Sequence, residues 1–175
     1  MKRYKRLYVV LAVLLAACIA TFALSRYKAQ KEQIQTSGET ILSISADEVE
    51  SLSWDYDGQT LSFHRDGAWS YDDNAAFQVD AEQMNLLLEP FAAFGAAFII
   101  EDVDDLGQYG LDNPVCTIRI TAGGETHTIQ LGDYSKMGAQ RDVSIGDGNV
   151  YLAAHDPLDE FDVTLDELID QDDIP

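Results

Sequence analysis

Apolar and polar positions along this chain follow three different spacings, and each spacing predicts a different element. From Leu7 to Leu24 the residues are almost continuously apolar, with Thr21 the one clearly polar side chain. As a helix rising 1.5 Å per residue, this run would span about 27 Å, close to the bilayer core of about 30 Å. Further on the period falls to two, the signature of half-buried strands. Leu52, Trp54 and Tyr56 alternate with polar residues, as do Leu61 and Phe63, then Trp69 and Tyr71. Asp57-Gly58 and Asp66-Gly67 separate these runs, and Asp-Gly is a strong signal for a tight hairpin turn, so a three-stranded meander is predicted. Met84, Leu87, Leu88, Phe91 and Phe94 then recur at helical spacing behind Asp80, whose carboxylate suits the N-cap with Gln83 at the capping-box position. Pro90 within that stripe predicts a kink or early break. The stripe reads as core.

A short buried strand is predicted at Phe98-Ile99-Ile100, followed by the acidic connection EDVDDLGQYGLDNP. Period two resumes at Cys116, Ile118 and Ile120, turns at Gly123-Gly124, and continues through Ile129 and Leu131. Val143 and Ile145 are expected to pair with Val150 and Leu152 across Asp147-Gly148. Asp156 before Pro157, and Thr164 with Glu167, mark helix starts near the end. The expected fold is α+β: antiparallel hairpin and meander sheets with one main helix between them, preceded by a single N-terminal transmembrane helix. Residues 1–25 are the basic N-terminus and signal-anchor, 26–40 a juxtamembrane linker, and 41–175 an acidic extracytoplasmic domain.

The N-terminal run admits three readings. Lys2, Arg3, Lys5 and Arg6 before it, and Arg26, Lys28 and Lys31 after it, suit a retained anchor with its ends among the headgroups. Leu15-Ala16-Ala17-Cys18 resembles a lipobox with Cys18 as the lipidated residue, yet the sequence after Cys18 stays apolar where a polar tether is expected. Cleavage near Ala23 or Ser25 is the third reading. The anchor is favoured, and all three put the body outside the cytoplasmic membrane.

Charge changes the picture of what the body can meet. Residues 1–31 carry seven Lys/Arg and no acid, whereas residues 32–175 carry four Lys/Arg against 31 Asp/Glu, a formal charge of −27. Such a body is repelled by phosphate backbones and anionic headgroups, which excludes nucleic acid and favours basic protein surfaces.

Little in the chain carries reactive chemistry. His64, His127 and His155 lack metal-ligand spacing, and Cys116 has no adjacent thiol and sits on an apolar strand where it would be inert. No nucleophile elbow or phosphate-binding loop is present. Glu101, Asp102, Asp104, Asp105 and Asp112 crowd together with Gly107, but Leu106 and Asn113 stand where a calcium loop needs ligands. No catalytic residue, cofactor or specific metal is expected.

Tyr109, Gly110, Leu111, Asp112 and Pro114 form the most distinctive local motif. Gly110 can take positive φ, Asp112 can accept from backbone amides, and Pro114 forces Asn113 into an extended conformation. The motif reads as a structural corner, and secondarily as a recognition loop. YGLDNP, together with IQLGD (129–133), NVYLA (149–153) and the opening hairpins from ILSISADEVESLSW onward, resembles the bacterial family catalogued as domain of unknown function 4340 over roughly residues 41–170. One departure is Gln140-Arg141-Asp142-Val143, where relatives tend to carry an aromatic strand. The resemblance implies an N-terminal membrane segment and an envelope accessory role, with ABC-type transport machinery as a lead, but no established activity. The expected function is therefore a non-catalytic, membrane-anchored extracytoplasmic domain that binds an envelope protein. The alternative is a carbohydrate-binding module or envelope hydrolase, using Trp54, Trp69, Tyr71 and Tyr109 as an aromatic platform beside carboxylates.

Overall fold

The computed structural model describes residues 39–136 and 138–169. The strands are β1 (Glu39–Leu42), β2 (Val49–Tyr56), β3 (Gln59–Asp66), β4 (Ala68–Tyr71), β5 (Phe94–Ile100), β6 (Cys116–Ala122), β7 (Glu125–Ser135), β8 (Gln140–Ser144) and β9 (Val150–Ala153). Helix α1 (Ala81–Leu88) precedes β5, and the short helices α2 (Leu158–Phe161) and α3 (Leu165–Leu168) follow β9. All the strand pairs are antiparallel and belong to one open nine-stranded sheet, in the order β1-β5-β9-β8-β7-β6-β2-β3-β4.

The two expected sheets are thus one. The join is β2 against β6, where Leu52 faces Ile120, Trp54 faces Ile118 and Tyr56 faces Cys116. Because side chains alternate across a strand, this register fixes which residues share the core face. Tyr71, Phe63, Leu52, Ile120 and His127 make one cross-sheet row; Leu61, Trp54, Ile118 and Ile129 make the next. A third runs Tyr56, Cys116, Leu131, Val143, Tyr151, Ile99. The opposite face of β2, β3, β6 and β7 carries Ser53, Thr60, Ser62, Thr117, Thr121, Thr126 and Thr128, all exposed or half-buried. There Asp55 accepts from Thr60 at 2.6 Å and from Arg119 at 2.7 Å, which holds its carboxyl below the usual range.

The helical segments cover the core face. Asp80 caps α1 as expected, its Oδ1 accepting from the amides of Glu82 (2.8 Å) and Gln83 (3.3 Å), a cap worth about 1 kcal/mol. The α-helix stops at Leu88 and a 3-10 turn carries Glu89–Ala93, with Pro90 in its first turn where its missing N–H costs least. Met84, Leu87, Leu88, Phe91 and Phe94 are all buried, though Phe94 already belongs to β5. Trp54 stacks on Phe63 at 5.6 Å and takes the edge of Phe161 from α2 at 5.2 Å, which ties α2 to the sheet. Thr164 and Glu167 form the expected capping box on α3.

Three local expectations are corrected. Strand β1 starts at Glu39, inside the stretch assigned to the linker. Phe98 is 54% exposed, because a bulge between Ala96 and Phe98 shifts the alternation and leaves Ile99 on the core face beside Tyr151. Val143 pairs with Tyr151 and Asp142 with Leu152, and Ile145 lies past the end of β8. The predicted membrane helix, Leu7 to Leu24, lies outside the described residues, among which no helix is long and apolar enough to cross a membrane.

Candidate functional site

From β5 to β6 the chain must pass β9, β8 and β7, and residues 101–115 make that crossing. The crossing is pinned at its start, where the amides of Asp102 and Val103 donate to Asn149 Oδ1 (3.2 Å) and the Gly148 carbonyl (3.1 Å). Asp105 then caps a 3-10 turn (Leu106–Tyr109) by accepting from the amide of Gly107 at 3.0 Å. Within residues 101–115 it is Asp105, and not Asp112 as expected, whose carboxylate takes up a loop amide. Gly110 ends the turn in the left-handed region at φ 68°, and Leu111 turns inward to only 3% exposure. Past Pro114 the amide of Val115 donates to the Leu131 carbonyl at 2.8 Å, which sets the register of β6 against β7. Tyr109 and Pro114 are half-buried and Asp112 is exposed.

The receiving surface is the β7 bulge. The β7–β8 register shifts between Leu131 and Tyr134, and this places Gly132 and Asp133 under the crossing. A Cβ on Gly132 would lie 2.1 Å from the Tyr109 carbonyl oxygen and 3.0 Å from the Leu111 side chain; one on Gly110 would lie 2.6 Å from Asp133 Oδ1. The YGLDNP and IQLGD motifs are therefore two halves of one close backbone approach, which only glycine permits.

Arg141 completes the assembly. It is 7% exposed, and its Nη1 donates to the Gly132 carbonyl (2.8 Å) while its Nε donates to Asp156 Oδ1 (2.6 Å). Its guanidinium also lies over the Tyr134 ring, 5.4 Å from the centroid. Asp156 Oδ1 accepts from the amide of Leu158 as well, so one guanidinium links the β7 bulge to the start of α2. Sequence reading took residues 140–143 as a departure from an aromatic strand and missed this role. The available signal was parity, since Arg141 shares its strand face with Val143. On the other face Asp142 has its carboxyl pushed up by burial and by neighbouring Asp133.

The remaining candidates do not converge. Trp54, Trp69 and Tyr71 are buried in the core, so the aromatic platform expected of a sugar site does not form. Cys116 is fully buried, and burial pushes its thiol up to about 12. His64 Nδ1 lies 2.5 Å from Asp72, and His155 Nε2 lies 2.8 Å from Glu160, whose hydrogen bond raises the imidazole pKa. No three His, Cys, Asp or Glu side chains among the described residues are grouped to hold a metal ion. Leu7, Cys18 and Leu24 lie outside the described residues.

The chain matches no curated protein and no solved structure to a significant degree. A family does match, over residues 69–172 and so more than half of the chain, beginning within β4 and taking in both interlocked motifs, Arg141 and Asp156. With its corner, bulge and guanidinium clasp all inside that stretch, the chain belongs to the family described as a domain of unknown function (DUF4340).

Proposed function

We propose that the chain is a non-catalytic accessory domain of the bacterial cell envelope, held at the cytoplasmic membrane by its N-terminal segment, with residues 41–175 outside the cytoplasm and a basic protein surface as partner. One observation carries the reading: the fold engages all three arginines of the body itself, which leaves Lys136 as its one other Lys/Arg. Of the four Lys/Arg in residues 32–175, Arg119 is bound to Asp55 and Arg141 to Asp156. Arg65 gives its guanidinium to the carbonyls of Ala46 (3.0 Å) and Asp47 (2.5 Å) and lies over Trp69. Nearly all the acid load is left for an external counter-charge. Complementary fields of this kind speed encounter and select partners.

The test is crosslinking of the full chain in native membranes, with the transport machinery suggested by the family resemblance as the first place to look. The expected product is an envelope protein joined through a Lys/Arg-rich segment. Its yield should fall several-fold as salt rises from about 0.1 to about 1 M, where the screening length drops from about 10 to about 3 Å. A salt-insensitive product joined through an apolar segment, or turnover of a substrate by the purified chain, would overturn the reading.

A further inference from the structure

The geometry points to a socket for one arginine side chain of the partner protein, between the β2–β3 hairpin tip and the connection from α2 to α3. The inference rests on the proposed binding of a basic protein and names where that binding is anchored. A cavity of about 130 Å³ opens there, with Trp54 and Leu61 as a buried floor, Tyr56 half-buried in the wall, and Asp57, Gln59 and Asp162 exposed at the rim. Ligand pockets for free small molecules run to about 300–1,000 Å³, while a cavity of about 150 Å³ takes a single benzene ring. The space therefore suits one side-chain head and is too small for a sugar or a cofactor.

Its lining decides which head. An apolar side chain would leave the rim carboxylates facing it without counter-charge, and a bare cation would waste the indole and leucine floor. Arginine has both parts: a stem that lies along apolar surface and a planar guanidinium that stacks on an aromatic ring and binds carboxylates through paired N–H groups. Both carboxylates act on the same wall residue, because the Tyr56 phenol is pushed up by burial and then by Asp162 and Asp57. The rim is also held in place. Asp57 sits at the hairpin tip with φ 48° beside Gly58 at φ 74°, and the Asp162 amide closes α2 by donating to the Leu158 carbonyl at 3.0 Å.

The experiment uses the full chain in nonionic detergent and a blocked tripeptide with a central arginine as the probe. The chain has two tryptophans, and Trp69→Phe leaves Trp54 to report from the floor of the cavity. The arginine probe is expected to quench Trp54 saturably at millimolar concentration, with the lysine analogue severalfold weaker and the neutral citrulline analogue at least tenfold weaker. Asp57→Asn and Asp162→Asn should each weaken the arginine probe about tenfold; asparagine tolerates positive φ, so the hairpin tip is preserved. Equal quenching by citrulline, or unchanged affinity in Asp162→Asn, would overturn the socket. In native membranes the double variant is expected to lose most of the basic-partner crosslink. A crosslink that persists at full yield refutes the socket and leaves the basic-partner reading standing, whereas a parent chain that gives no such crosslink refutes that reading itself.

Discussion

Cys116 sits mid-row between Tyr56 and Leu131, fully buried, in surroundings that hold its proton. Since thiolate is the reactive form, a thiol raised to about 12 should resist alkylation at pH 8 for hours. In a Cys18→Ser chain, labelling is expected only after denaturant is added; rapid native labelling would place Cys116 on the wrong face. Glycine substitutions separate strain from clash at the same scale. Gly124→Ala meets only the cost of its φ of 79°, with nothing within 4 Å, a loss of about 1–2 kcal/mol. Gly132→Ala drives Cβ into the Tyr109 carbonyl, which cannot yield without moving the corner, and should cost at least the roughly 1–3 kcal/mol of ordinary overpacking. Denaturant melts of the two variants rank them directly, and equal losses would mean that the corner is not packed against the bulge. His155 gives a milder effect. Its pKa is raised by the Glu160 hydrogen bond, so its contribution to stability is full below pH 6.5 and fades as pH climbs through the raised value. An imidazole titration followed by NMR should show that upward shift, and Glu160→Gln should remove most of it.

Among the elements, the clasp from β8 to the bulge and α2 makes the sharpest demand. Arg141 and Asp156 have side chains only 8% and 11% exposed, so removing one partner strands a buried charge. Arg141→Met should destabilise the chain by about 3–5 kcal/mol, and combining it with Asp156→Leu should recover part of that loss. If the double variant melts no higher than the single, the arginine's bond to the Gly132 carbonyl carries the clasp instead. Strands β2 to β9 could be foreseen, at least in part, because period-two patterns and Asp-Gly or Gly-Gly turns are local features. The caps at Asp80 and Thr164 could be foreseen for the same reason. The bulges at Ala96/Phe98 and at Gly132 could not, since a bulge inserts one residue and inverts the parity that any pattern count assumes. Hence Phe98, inside by simple alternation, lies outside, whereas Arg141 keeps the parity of Val143 on β8 and its charge alone argues against the core face. Gly110 and its motif are legible locally, while the role of Gly132 depends on its approach to Tyr109, 23 residues back along the chain, which periodicity does not encode.

For the molecule as a whole, the step from two sheets to one depends on β2 meeting β6, a pairing between Trp54 and Ile118 that local turn chemistry leaves open. What the sequence states directly at this scale is charge. With −27 over residues 32–175, self-repulsion is stronger in the compact state than in an expanded chain, so screening should favour folding. Raising monovalent salt from about 0.01 to about 0.15 M shortens the screening length from about 30 to about 8 Å. If repulsion costs about 1 kcal/mol, Tm should rise by about 4 °C over that interval. Calcium at fixed ionic strength should add only a shallow, non-saturating increment, because among the described residues no three acidic side chains are grouped to hold an ion. Of the carboxylates in the crossing, that of Asp105 is already engaged with the amide of Gly107. The measurement is a thermal melt of the full chain in nonionic detergent, titrated first with sodium chloride and then with calcium. A Tm that falls with salt would show that the native ion pairs outweigh the repulsion. A calcium shift that saturates at micromolar concentration would mean that Glu101, Asp102, Asp104, Asp105 and Asp112 close into an oxygen cage.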